Sequence, residues 1–262
     1  MNYFKVILFC WVSILSGIAA AQTDSLTVVP AIDLAFKNNR YSFPSNGPDF
    51  VFKSSFITLV PSVTVAYGSI YTTLNYDFTI ADSERYITGS NANPHFNIAR
   101  YGRKDASVTL GYRLYPAVSI FTGYTQGKGT LLVSGTDSTE AFYVTRIYDE
   151  KGFYVGASYS HAFSERGALN LSAAYGSLDG LLSGANDSST DKIVSKAPGY
   201  SINLAWNQAV SKTLSYRIGV KYTTYTFEGK EYFVNGAAEP LPRDFNYYEK
   251  ITAFYIGVMD YF

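Results

Sequence analysis

The stretch Leu214-Ser215-Tyr216-Arg217-Ile218-Gly219-Val220-Lys221-Tyr222-Thr223 alternates without a break. Leu214, Tyr216, Ile218, Val220 and Tyr222 are apolar or aromatic, and the residues between them are small or polar. Successive side chains of a β-strand point to opposite faces, so this segment has one greasy face and one wet face. The pattern recurs at 200–207, where Tyr200, Ile202, Leu204 and Trp206 alternate with Ser201, Asn203, Ala205 and Asn207, and again at 169–176 and 70–80. Helical periodicity would not survive this many alternations. No helix is expected after the N-terminal segment.

Working outward, the alternation predicts ten strands, near 26–36, 56–67, 70–80, 106–115, 118–125, 152–163, 168–176, 200–210, 214–227 and 250–262. Tight connections fall at Tyr67-Gly68-Ser69, Tyr115-Pro116-Ala117, 164–167 and Ser211-Lys212-Thr213. Longer polar links occupy 37–53, 81–104, 126–150, 177–199 and 228–248. Short and long connections therefore alternate, and an even number of antiparallel strands puts both termini on the short-turn side. The expected fold class is all-β: a closed antiparallel transmembrane β-barrel of about ten strands, with short periplasmic turns and long extracellular loops. Closure has a physical cause, because lipid cannot satisfy backbone N–H and C=O groups and a sheet in a bilayer must have no edge. A soluble β-sandwich or ligand-binding barrel also alternates and is the competing architecture. The asymmetry of the connections favours the membrane barrel.

Composition agrees with this reading. Lys and Arg total 21, as do Asp and Glu, so the formal net charge is zero and the basic excess of a general nucleic-acid binder is missing. Aromatics reach 17%, with 24 Tyr and 18 Phe, which excludes a disordered tail. One cysteine cannot build a disulfide scaffold. Mean hydropathy is near zero, as expected when two opposed strand faces and polar loops are averaged.

Residues 1–21 read as a cleaved signal peptide, and 22–262 as the barrel domain. Lys5 is the only charge in the first segment, 6–18 is apolar, and Ala19-Ala20-Ala21 supplies the small-residue cleavage pattern. An uncleaved anchor is the alternative. Cys10 lies in the apolar part of this segment and is removed with it.

The chain ends Tyr255-Ile256-Gly257-Val258-Met259-Asp260-Tyr261-Phe262, with Phe254, Ile256 and Val258 on the face of the terminal Phe262. This resembles the last strand of bacterial outer-membrane β-barrel proteins, whose final residue is typically Phe. The resemblance implies residence in the bacterial outer membrane among its lipid and lipopolysaccharide, and recognition of Phe262 by the barrel-assembly machinery. Asp260 departs from the pattern, since an apolar residue is usual there.

With the apolar face outward, Asp33, Asp77, Arg113, Arg217 and Lys221 face the lumen. They are expected to pair or stay hydrated, because an isolated charge in a dry interior is costly. Two readings fit: a salt-bridged network filling a narrow barrel, or a charged constriction in a small pore for polar solutes. Gly111, Gly123, Gly156, Gly176, Gly219 and Gly257 share that face and make room for large neighbours or for water. Tyr67, Tyr115, Phe163 and Trp206 are placed for an aromatic girdle near the short turns. Residues 130–133 and 141–148, joined through Ser134-Gly135-Thr136-Asp137, predict a hairpin rising above the membrane. So do 225–234 and 244–248 around Asn235-Gly236. Such hairpins serve as surfaces for an extracellular ligand or as a rim without a partner.

Chemistry has few candidates. Omptin-type proteases have ten strands and use carboxylates with an Asp–His pair at the extracellular mouth. Here His95, flanked by Asp82, Glu84 and Asp105, is the one place for a comparable general base. Nothing else in the spacing matches that family, and no catalytic residue is assigned. His161, followed by Ala162-Phe163, lacks the His-x-Ser spacing of lipid A deacylases and reads as an interfacial imidazole beside Tyr159. No cofactor is expected, and no ligand set exists for a transition metal. Asp187 and Asp191 lack the spacing of an EF-hand.

Overall fold

The computed structural model describes residues 25–43, 50–88, 96–137, 140–163, 167–186, 189–232 and 243–262. The segment read as a signal peptide, His95, Asp187 and the Asn235-Gly236 tip lie outside the described residues. Ten strands follow in order: β1 (Leu26–Phe43), β2 (Phe50–Tyr67), β3 (Ile70–Thr88), β4 (Phe96–Tyr115), β5 (Val118–Asp137), β6 (Glu140–Ala162), β7 (Gly167–Asn186), β8 (Ser189–Ala209), β9 (Leu214–Tyr232) and β10 (Arg243–Asp260). Each pairs antiparallel with its sequence neighbours, and β1 pairs with β10 as well as β2, so the sheet closes on itself. Beyond β10, Phe262 N–H donates to Val28 O at 3.0 Å and Val28 N–H donates to Phe262 O at 3.1 Å, which extends the β1–β10 seam to the last residue.

The outer wall near the short turns is apolar. Ile32, Leu34 and Phe36 of β1, and Phe254, Ile256 and Val258 of β10, are all exposed. So are Leu110, Tyr112, Ile120, Val155, Leu171, Ile202, Leu204 and Ile218 around the rest of the cylinder. The same strands turn Asp33, Thr64, Thr73, Thr109, Ser215 and Asn207 inward, where they are buried. Apolar outside and polar inside is the reverse of a soluble barrel, and it is stable only against lipid. Tyr67, Tyr115 and Phe163 are exposed at the turn end, and Phe163 lies 5.8 Å from Trp206 between ring centroids.

The long polar links require correction. Most of their residues are strand: β1 continues to Phe43, β4 begins at Phe96, and β5 and β6 pair as far as Asp137↔Glu140. Ser134–Asp137, expected as a turn, is paired sheet opposite 140–143. The strands run 18 to 23 residues, whereas roughly 9–11 tilted residues cross a bilayer. The sheet therefore extends about as far beyond the apolar band as within it. There the faces exchange character. On β1, Asn38 and Arg40 point out beyond Phe36, while Lys37, Asn39 and Tyr41 are buried inside. Water bathes this part of the outer wall, so charge belongs outside and aromatic rings inside.

Large lumenal rings are seated against glycines on neighbouring strands. A Cβ added at Gly111 of β4 would overlap the ring of Tyr71 on β3, which is buried. Gly123 stands in the same relation to Tyr154, and Gly219 to Tyr255. Gly111→Val is expected to lower stability by about 1–3 kcal/mol through overpacking. Denaturant unfolding of the refolded protein measures this. Adding Tyr71→Ala should recover part of the loss, and strict additivity of the two losses would show that the ring and the glycine do not share the space.

Candidate functional site

The lumen is closed in cross-section by a layer of nine side chains, one from every strand except β3: Tyr41, Phe56, Tyr101, Leu131, Tyr148, Leu178, Ala197, Phe227 and Tyr247. Tyr41 stacks on Tyr148 at 4.9 Å, and Phe227 on Tyr247 at 4.1 Å with only 6° between planes. Tyr101 packs on Phe56 at 4.9 Å. Tyr101, Phe56, Phe227 and Tyr247 are each at most 2% exposed. The Tyr41 and Tyr101 hydroxyls lie 3.2 Å apart, so the layer is held by hydrogen bonding as well as stacking.

Directly beneath, toward the short turns, sits a charge cluster centred on Arg103 of β4. Its Nε donates to both oxygens of Asp105, at 3.1 and 2.8 Å. Nη1 donates to Glu249 Oε1 at 2.8 Å, and Nη2 donates to Glu150 Oε1. Asn39 Nδ2 donates to Glu249 Oε1 at 3.2 Å and to Tyr101 Oη at 2.8 Å, which ties the cluster to the aromatic layer. Arg103, Glu150 and Glu249 are buried, at 6, 5 and 1% exposed. One planar guanidinium thus links β4, β6 and β10 across the barrel, a geometry that the compact ammonium of a lysine does not provide.

Below the cluster lies a cavity of about 350 Å³, lined by Asp33, Lys37, Asp77, Arg217, Lys221 and Tyr255 among others. Arg217 reaches Asp33 with two nitrogens, and its Nη1 lies 3.7 Å from Met259 Sδ. Lys37 donates to Asp77. Lys221 faces the cavity and makes no ion pair among the described residues. Arg113 sits on the same inward face, two residues beyond Gly111 toward the Tyr115 turn. Of the five charges read from the sequence, Asp33, Asp77, Arg217 and Lys221 line this cavity and Arg113 does not. Lys37, Arg103 and Glu150, and the Tyr41, Tyr101, Tyr148 and Tyr247 rings of the sealing layer, lie in segments expected as links, whereas Phe56 and Phe227 stand at the ends of expected strands.

Asp105 is a further correction. It faces the lumen bound to Arg103, so it does not flank His95 in a loop. His161 lies on the outer wall at the turn end, with Nδ1 3.5 Å from Tyr159 Oη and its ring 4.7 Å edge-on to Phe163. Among the described residues no three His, Cys, Asp or Glu side chains are grouped to hold a metal ion.

No protein-family model matches the chain, and no curated protein matches it in sequence. Solved structures do. The outer-membrane protease OmpT from Escherichia coli aligns with a TM-score of 0.65, at 9% identity, over 93% of this chain and 100% of that one. The fold is that of a bacterial outer-membrane β-barrel. The translocator domain of the autotransporter NalP from Neisseria meningitidis also matches, with a TM-score of 0.46 at 10% identity, over 91% of this chain and 89% of that one. At these identities the likeness is one of fold. The lumen of this barrel holds an aromatic layer, a buried arginine cluster and a polar cavity, stacked in that order from the loop end.

Proposed function

We propose that the protein is an integral barrel of the bacterial outer membrane, with periplasmic termini, a sealed lumen, and a surface role carried by the sheet that projects beyond the apolar band. The observation that carries this reading is the layer of nine side chains closing the cross-section above Arg103. A barrel of this size is expected to be filled by its side chains, unlike the 16–18-stranded porins. The projecting sheet, paired out to Asp137↔Glu140 and Asn186↔Ser189, is a stiff platform for contacts outside the cell.

Planar-bilayer recording of the purified, refolded protein is the test. A heat-modifiable gel shift establishes that the barrel has formed, and electrical silence is then the expected result. The cavity lined by Asp33, Arg217 and Lys221 supports a second reading, a narrow passage for small polar solutes. Discrete conductance in the unmodified protein, altered by Arg217→Ala, would replace the first reading with the second. Peptide cleavage by the purified protein that disappears in His95→Ala would replace both with a hydrolase.

A further inference from the structure

The polar groups lining the cavity divide into those engaged within the wall and those left over. Asp33 is held by Arg217, Asp77 by Lys37, and the Tyr255 hydroxyl donates to Asn203 Oδ1 at 2.9 Å. Three groups remain. Lys221 makes no ion pair or hydrogen bond among the described residues. Asn203, opposite Lys221 in the β8–β9 register, has its carbonyl oxygen engaged and both amide hydrogens free among the described residues. Thr73 is 3% exposed, and its Oγ1 has no partner. Directly opposite residues hold their Cβ atoms about 5 Å apart, so an ammonium and an amide stand side by side on this wall. Two such donors, one of them charged, complement a carboxylate. The carboxylates that attract Lys221 across the lumen, Asp77 and Asp105, are bound to Lys37 and Arg103 instead.

The roof of the cavity has the opposite imbalance. Arg103 is the cation shared by Asp105, Glu150 and Glu249, and both Asp105 and Glu150 line the cavity. Gly127 stands between those two in register, and a Cβ added there would overlap Asp105 Oδ1 and Glu150 Oε1. The two carboxylates thus converge over bare backbone. One positive charge against three negative ones leaves the roof rich in acceptors, and unmatched buried charge is costly. A cation alone would relieve the roof but repel Lys221. An anion alone would match Lys221 but add to the excess above it. A molecule carrying both charges answers both walls.

We propose that the cavity binds a small zwitterion, a free amino acid or a dipeptide, with its carboxylate on Lys221 and Asn203 and its ammonium toward Asp105 and Glu150. The volume of about 350 Å³ falls in the size range of small-molecule sites. The lining runs down to Val29 and Met259, three residues and one residue from the turn-side strand ends at Leu26 and Asp260. The aromatic layer lies across the loop side, so the ligand enters from the periplasmic end. The proposal gives a solute class to the cavity behind the second functional reading. It rests on the membrane orientation of that reading and holds whether or not the lumen conducts.

The test titrates the refolded full chain in uncharged detergent with alanine, alanylalanine, propanoate and ethylamine. Binding is read from the transverse relaxation of the methyl protons that all four probes carry. At least one of the two zwitterions is expected to bind about tenfold more tightly than either single-charge probe, the worth of one charge-assisted hydrogen bond. Lys221→Gln should weaken that zwitterion about tenfold and should not weaken ethylamine. Lys196→Gln, on the outer wall, should bind as the unmodified protein does. A single-charge probe that binds as tightly as both zwitterions, or a zwitterion affinity unchanged by Lys221→Gln, overturns the proposal. If Lys221→Gln shows no heat-modifiable shift, Asn203→Ala replaces it, with about a fivefold loss expected and an unchanged affinity overturning the proposal. Bilayer recording on the same samples separates the two ideas: silence with zwitterion binding leaves a pocket without a passage, and conductance without binding leaves a passage and removes the zwitterion site.

Discussion

Arg103→Ala is expected to unseal the barrel. The substitution leaves Glu249 and Glu150, at 1% and 5% exposed, without the cation that both contact, and it frees Asp105. Removing one partner of a buried ion pair costs about 3–5 kcal/mol, because the remaining charge is neither solvated nor neutralised. Relief comes from admitting water, and the water must enter directly beneath Tyr101, which Asn39 ties to Glu249. The expected results are a clearly lower unfolding midpoint and discrete channel openings in planar bilayers where the unmodified protein is silent. Arg103→Lys should fall between the two, since an ammonium keeps the charge but cannot span three carboxylates at once. If Arg103→Ala stays silent and unfolds at the midpoint of the unmodified protein, the cluster does not hold the seal.

The second large effect concerns assembly rather than stability. Phe262 is 74% exposed, and its contribution to the seam is made by its backbone N–H and C=O with Val28. Phe262→Ala keeps both hydrogen bonds, so the stability of protein refolded in vitro should change by no more than about 0.5 kcal/mol, as for other surface substitutions. In cells we expect the amount of folded, membrane-resident protein to fall severalfold, because the aromatic side chain is what the assembly machinery would read. Heat-modifiable barrel in membrane fractions measures the second quantity, and denaturant unfolding measures the first. Normal levels in the membrane would remove the proposed role of Phe262 as a signal. A large loss of stability in vitro would show that the ring is structural instead.

Half of each strand was legible because a single rule governs the apolar band: large apolar residues out, small or polar residues in. That rule located Ile218 and Val220 outside and placed Asp33, Arg217 and Lys221 in the lumen. It fails beyond Phe36 because the medium outside changes from lipid to water. Lys37, Asn39 and Tyr41 continue the period of Asp33 and Ala35 without a gap, but the greasy residue is now the inward one. Taken as composition, such a stretch is polar and reads as a loop. Taken as period alone, it is still strand. Apart from Phe56 and Phe227, the residues of the seal are hidden for that reason, together with Arg103 and Glu150. The pairing of Arg103 with Glu249 could not be read at all, since they are 146 positions apart in the chain and meet only through the tilt and register of a closed sheet.

The seam also sets a clock. Asn39 and Glu249 are 210 residues apart and touch only once β10 has found β1. Until that moment Arg103 lacks one of its three carboxylates, the Tyr41 and Tyr247 rings are apart, and the cross-section stays open. Contacts of such long range form late, because the chain must close its largest loop before it gains from them. Closing the cylinder and stopping the hole are therefore one event in time. A nascent barrel inserted with its first and last strands unpaired would be leaky, and it would cease to leak when the two ends of the chain meet.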